Sequence, residues 1–148
     1  MTKLRYLSFD RNHVRDISAL SGLKELERLD LSTNQISDIN TLSGLTDLWY
    51  LNLSDNHLTD ISALTNLTDL SYLYLSNNQV SDINTLSGLL DLKALDLKYN
   101  QVSDINALSD LTNLQKLWLQ GNPVLEIKSR EEIMNVLSGA ENLKEVDF

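Results

Sequence analysis

The chain has 148 residues, 42% of them apolar and 22% charged, with a formal net charge of −9 and no cysteine. This is the composition of a folded protein and not of a disordered one; the missing thiols exclude a disulfide framework and any thiolate metal site. An acidic balance also disfavours phosphate backbones and anionic membrane surfaces as partners.

Met1-Thr-Lys-Leu-Arg-Tyr leads almost at once into an extended phrase, without a charged-then-apolar leader. No apolar run approaches the ~20 residues that a membrane span needs. The expectation is a soluble chain with no visible export signal, compatible with the cytoplasm and with a bacterial secreted or surface setting. Leu7-Ser-Phe-Asp-Arg-Asn12 then opens a series. It continues as Leu29-Asp-Leu-Ser-Thr-Asn34, Leu51-Asn-Leu-Ser-Asp-Asn56, Leu73-Tyr-Leu-Ser-Asn-Asn78, Leu95-Asp-Leu-Lys-Tyr-Asn100 and Leu117-Trp-Leu-Gln-Gly-Asn122, with the asparagines 22 residues apart. A fixed period of this size means stacked supersecondary units, each leaning on its neighbours.

One full unit places apolar residues at Leu42, Leu45, Leu48, Leu51, Leu53, Leu58 and Ile61, and the next repeats them at Leu64, Leu67, Leu70, Leu73, Leu75, Val80 and Ile83. Alternation across Leu51-Asn-Leu53 turns both leucines inward, as a strand requires. Identical strands in successive units run parallel, giving six or seven strands and, at ~4.8 Å each, a sheet about 30 Å long. The return stretch, such as Asp60-Ile-Ser-Ala-Leu-Thr-Asn-Leu67, has room for a turn or two of helix of the tighter 3₁₀ kind.

Two polar columns accompany the leucines. An asparagine amide both donates and accepts, so the Asn column is expected to satisfy backbone groups where the chain leaves each strand and to tie one coil to the next. Asp16, Asp38, Asp60, Asp82 and Asp104 share another position and are expected to cap the convex turns by accepting backbone N–H bonds. A cation site on that column is disfavoured, because calcium needs several converging oxygens. Of the 21 acidic residues these five belong to the period, and the remaining 16 face 12 basic residues, a mild imbalance of −4.

The period stops after Asn122-Pro123. Ser129-Arg-Glu-Glu-Ile-Met-Asn-Val-Leu-Ser138 reads as an amphipathic helix over about 129–138, opened by a Ser and Glu capping box and stopped by Gly139. Ile133, Met134 and Leu137 are expected to cover the last coil, and Leu143, Val146 and Phe148 to supply a final strand. Residues 1–148 are thus expected to form one domain, with repeats over 1–122 and a C-terminal cap over 123–148. No matching N-terminal cap is visible: Met1, Leu4, Leu7 and Phe9 already occupy core positions. A bare edge invites pairing, so this end is expected to dock a second copy, giving a homo-oligomer, or to continue a longer parent.

The L-x-L-x-x-N phrases, with Asn34-Gln-Ile-Ser-Asp-Ile39 and Leu45-Thr-Asp-Leu48, resemble leucine-rich repeats of the 22-residue class, and most closely the bacterial internalin-like group. The resemblance implies an α/β fold: a right-handed solenoid with the parallel sheet on its concave face and short 3₁₀ or helical turns on its convex face. The Gly-Asn-Pro, helix and closing strand are similar to that family's C-terminal cap. It also implies protein recognition by the concave face, without catalysis. One departure is that Ala63, Thr85 and Ala107 stand where such units often carry proline, which predicts a looser or more helical convex backbone.

The inventory for chemistry is poor. There is no Gly-rich phosphate loop, no H-x-x-x-H or H-E-x-x-H pair and no cysteine nucleophile. His13 and His57 share one slot two units apart, about 10 Å by strand spacing, too far to share a zinc ion. No cofactor or metal is expected. Asn52-Leu-Ser and Asn66-Leu-Thr match the glycosylation triplet as by-products of the repeat letters.

The outward strand positions carry what functional information there is. One row reads Tyr6, Arg28, Tyr50, Tyr72, Ala94 and Lys116; the next Ser8, Asp30, Asn52, Tyr74, Asp96 and Trp118; the third Asp10, Ser32, Ser54, Ser76, Lys98 and Gln120. Core packing does not demand aromatics there, and Tyr and Trp are favoured interface anchors. The expected protein-binding patch centres on Tyr50, Tyr72, Tyr74 and Trp118, rimmed by Arg28, Asp30, Asp96 and Lys98, with Tyr99 near the lower rim and Trp49 near the upper. Cross-strand packing that merely stiffens the sheet is the plainer alternative. A glycan-binding surface on the same aromatics and a structural or self-assembly module are the other readings; a basic groove for nucleic acid is lacking.

Overall fold

A computed structural model describes residues 3–148. Seven three-residue strands form one sheet in chain order: β1 (Tyr6–Ser8), β2 (Arg28–Asp30), β3 (Tyr50–Asn52), β4 (Tyr72–Tyr74), β5 (Ala94–Asp96), β6 (Lys116–Trp118) and β7 (Glu145–Asp147). Every neighbouring pair is parallel and in register, so that Leu7, Leu29, Leu51, Leu73, Leu95, Leu117 and Val146 form one row. From β1 to β6 the 22-residue period produces that register directly, since each coil is one copy of the same path, and β7 joins it from outside the period.

Inside the coil the leucine columns are sealed: Leu51, Leu53, Leu64, Leu67, Leu70, Leu73 and Leu75 all have no exposed surface. Each such side chain contributes about 1.5–3 kcal/mol through removal from water. The buried residues form one continuous cluster from Ile17 to Ala140.

The convex side is made of 3₁₀ turns at Ser18–Gly22, Asn40–Gly44, Ser62–Leu64, Asn84–Gly88 and Asn106–Leu108. The Asp column caps them as expected. Asp16, Asp38, Asp60, Asp82 and Asp104 each accept, through Oδ1, the backbone N–H two residues on, at 2.8–2.9 Å. Without proline, this backbone is helical in the tight 3₁₀ sense throughout.

The Asn column is a ladder. Asn78 Nδ2 donates to the carbonyls of Leu53, Leu75 and Ser76, while its Oδ1 accepts the Leu58 N–H at 3.0 Å. Asn34, Asn56 and Asn100 repeat the pattern, and Asn122 repeats it with Leu97, Leu119 and Val102. One amide thus satisfies its own turn and the coil before it. Among the described residues no buried side-chain nitrogen or oxygen lacks a partner.

The residue before each ladder asparagine has a left-handed backbone: Arg11, Thr33, Asp55, Asn77 and Tyr99 at φ 52–57°, and Gly121 at φ 75°. The reversal after the strand imposes this conformation. It suits Gly, Asn and Asp, and strains Thr, whose branched Cβ crowds the backbone. Because six different residue types fill the position, their letters did not disclose it.

At the C-terminal end a short α1 (Val124–Ile127) follows Pro123, and α2 (Arg130–Val136) begins at Ser129 with the full capping box. Ile133 and Leu137 are buried, but the expectation for Met134 is corrected. It is 44% exposed, and Val136 packs against the core instead. Helical spacing explains this, since the i and i+4 residues share a face while the i+1 residue points about 100° away. Leu143 and Phe148 pack against the core around β7, whose Val146 is half-buried in register with Leu117, and the Arg130 guanidinium lies 4.9 Å from the Phe148 ring. At the other end Leu4 and Leu7 are half-buried, while Tyr6 and Phe9 are exposed. Met1 lies outside the described residues.

Candidate functional site

Three-residue strands occupy the narrow side of each coil and the wider turns the opposite side, so the sheet is the concave face and its outward residues line it. Leu29, Leu51 and Leu73 point inward, so pleating aims Arg28, Asp30, Tyr50, Tyr72 and Tyr74 at solvent. The structure divides the expected patch into two clusters.

The first is aromatic. Tyr50 lies 6.5 Å from Tyr72 and 5.6 Å from Tyr74, in tilted geometries. Trp49 joins them edge-on, 6.1 Å from Tyr50 and 6.0 Å from Tyr72. The Arg28 guanidinium sits 4.0 Å from the Tyr50 ring centre. These contacts are the cross-strand packing weighed above; they also leave the rings half-exposed and fixed in place. The Tyr74 hydroxyl titrates above the usual tyrosine range, chiefly because burial disfavours its charged form, with Tyr50, Tyr72 and Asp96 adding to it. Trp49, at the upper rim of the expected patch, is a full member of this cluster. Its signal was the residue type itself, since Glu27, Ser71, Lys93 and Gln115 fill the same position in other units.

The second cluster is charged and centres on Trp118. Its Nε1–H donates to Glu145 at 3.1 Å, and the Lys98 and Lys116 ammonium groups stand 6.0 and 5.8 Å from its ring centre. Lys98 pairs with Asp147 at 2.9 Å and Lys116 with Glu145 at 3.1 Å. The partner acids both belong to β7, which lies beyond the repeats and carries none of their letters; for that reason the network was not legible beforehand. Lys98 is held above the usual lysine range, first by its bond to Asp147. Glu145 is held below the usual carboxylate range, first by Lys116.

Asp96 lies between the clusters, paired in register with Tyr74 on one side and Trp118 on the other. Asp30 accepts from the backbone and hydroxyl of Ser32 and from Asn52. Tyr99 stands apart from both clusters: its hydroxyl donates to Gln120 at 3.2 Å and its ring rests against Gly121. His13 Nδ1 lies 3.2 Å from Gln35 Nε2 on the exposed flank. Among the described residues no group of three or more His, Cys, Asp or Glu side chains is arranged to hold a metal ion. No helix among them is long and apolar enough to cross a membrane.

The family model for leucine-rich repeats (two copies) matches residues 2–44, 48–88 and 91–131. Comparison with curated protein sequences gave no match. Among solved structures, internalin C2 of Listeria monocytogenes is 37% identical with a TM-score of 0.90. An internalin, InlF, of the same species is 29% identical with a TM-score of 0.81, and a leucine-rich-repeat protein of Leptospira interrogans is 30% identical with a TM-score of 0.85. Each similarity covers 98% of this chain but only 61%, 48% and 37%, respectively, of the other. With the period, the asparagine ladder and the matched residues in agreement, the chain belongs to the leucine-rich-repeat family and is internalin-like within it.

Proposed function

We propose that the chain is a non-catalytic recognition module that binds a protein partner through its concave sheet. Leucine-rich repeats commonly serve protein–protein interaction, and the feature of this chain that carries the reading is the packed, half-exposed group Trp49, Tyr50, Tyr72 and Tyr74. Aromatic anchors on a pre-formed surface bury area on binding with little ordering entropy lost. The charged residues of the face, with Arg28 against Tyr50, Asp96 beside Tyr74, Lys98 by Trp118 and Asp30 beside Asn52, set register and approach more than affinity.

Replacing Tyr74 and Trp118 by alanine tests this. The double variant is expected to fold as the parent does and to lose partner binding in a pull-down; unchanged capture would overturn the reading. A second reading is self-association at the N-terminal coil, supported by exposed Tyr6 and Phe9 beside half-buried Leu4 and Leu7. Sedimentation over a range of concentrations tests it, and a strictly monomeric boundary would remove it.

A further inference from the structure

We propose that the row Tyr74–Asp96–Trp118 is a slot for the guanidinium of an arginine presented by a protein partner. The proposal rests on the concave-face reading and deepens it by naming the chemistry received there.

The fold does not need the charge of Asp96. Its Oδ1 accepts the Lys98 backbone N–H at 3.0 Å. Two coils earlier Asn52, a neutral amide, makes the same bond to Ser54 N–H at 3.1 Å. The local turn is therefore equally well served without a carboxylate. A half-buried charge beyond structural need is a cost that a ligand can offset.

The outward face of β5–β7 and the turn after β5 carries Asp96, Glu145 and Asp147 against Lys98 and Lys116. Both lysines are committed to the β7 acids. Asp96 makes no ion pair among the described residues, so one negative charge is left over. Burial pushes its carboxyl above the usual range although the Lys98 backbone N–H, the Lys98 ammonium and the Ser76 hydroxyl all pull it down.

Tyr74 and Trp118 flank Asp96 one strand away on each side, so their backbones are about 9.6 Å apart. A planar group stacked between two rings needs about 7–8 Å, and with Tyr74 packed on Tyr50 and Trp118 bonded to Glu145 the gap over Asp96 is left open. Arginine meets all three demands: it stacks on aromatic rings, and its fork pairs with a carboxylate. Lysine, a compact and strongly hydrated charge, offers no plane to stack. Asp30 is no equivalent, since its row neighbours are Ser8 and Asn52.

Selection of random displayed peptides on the wild-type chain, with counter-selection on Tyr74→Ala/Trp118→Ala, tests the proposal. Peptides that depend on the concave face are expected to share an arginine. Citrulline in its place, or Asp96→Asn in the protein, should weaken binding by about tenfold or more. Thermal unfolding of Asp96→Asn at neutral pH should match or exceed the parent, since an amide serves the same turn at Asn52 and the half-buried charge is gone. Concave-face binders without a required arginine, or indifferent to Asp96→Asn, would overturn the slot and leave the concave-face reading standing. Peptides equally tight on the alanine double variant, or no binders at all, would overturn both.

Discussion

Asn12 and Asn78 occupy the same place in the repeat and have different fates. Asn78 is 8% exposed and bonded to two coils. Asn12 is exposed, and among the described residues its side chain donates to the carbonyls of Phe9 and Asp10 in its own turn and to no other coil. The difference teaches that a repeat letter specifies a shape, whereas its energetic weight comes from the coil stacked against it. Stability in such a chain is close to a sum of coil and interface contributions, so interior coils are expected to outweigh the first one wherever the contact crosses between coils.

The leucine row should show this most strongly. Leu73→Ala removes a fully buried side chain and should cost about 3–5 kcal/mol in urea unfolding. Leu7→Ala, at a half-buried position, should cost about 1 kcal/mol. Equal losses would break the comparison.

The ladder comes next. Asn78→Leu leaves the Leu58 N–H and the Leu53 carbonyl without their partner and should cost about 2–4 kcal/mol. Asn12→Leu should change the same measurement by less than about 0.5 kcal/mol, as for exposed sites generally.

Smaller effects should appear where the contact is local to one turn. Thr33 holds φ 55°, and Thr33→Asn should raise stability by about 1 kcal/mol by admitting that backbone more readily. Gly121→Ala should act in the opposite direction, because its added Cβ meets the Tyr99 ring in a left-handed turn.

The aspartate caps sharpen the comparison by removing it. Asp16 in the first coil and Asp60 in the interior are both held below the ordinary carboxylate range, first by a backbone N–H, from Ser18 and Ser62 respectively. A folded-state pKa below the unfolded one gives stability that is fully present above the unfolded value. That stability is lost as pH falls through the folded value. Asp16→Asn and Asp60→Asn should therefore flatten the acid limb of the unfolding profile to a similar degree. Asp96, raised by burial, has the reverse sign: its contribution grows more favourable as pH falls below its folded pKa toward the unfolded value. Asp96→Asn should thus steepen that limb.

The amino-acid sequence by itself determined the coil, the parallel register, the ladder and the convex caps. The reason is periodicity: when Leu51, Leu73 and Leu95 recur at one interval, the side that each strand shows is settled before any packing is known. The outward rows were legible for the same reason, down to Tyr74 beside Asp96. Tertiary structure decided which outward residues meet. Trp49 turned inward to the tyrosines, Met134 turned away from the core, and Trp118 was drawn into the ion pairs of β7. Those outcomes depend on rotamers and on a closing strand without repeat letters, and a one-dimensional pattern carries neither. The left-handed turn before each asparagine was hidden differently: backbone geometry is imposed there by the path of the coil, and the side chain is merely tolerated.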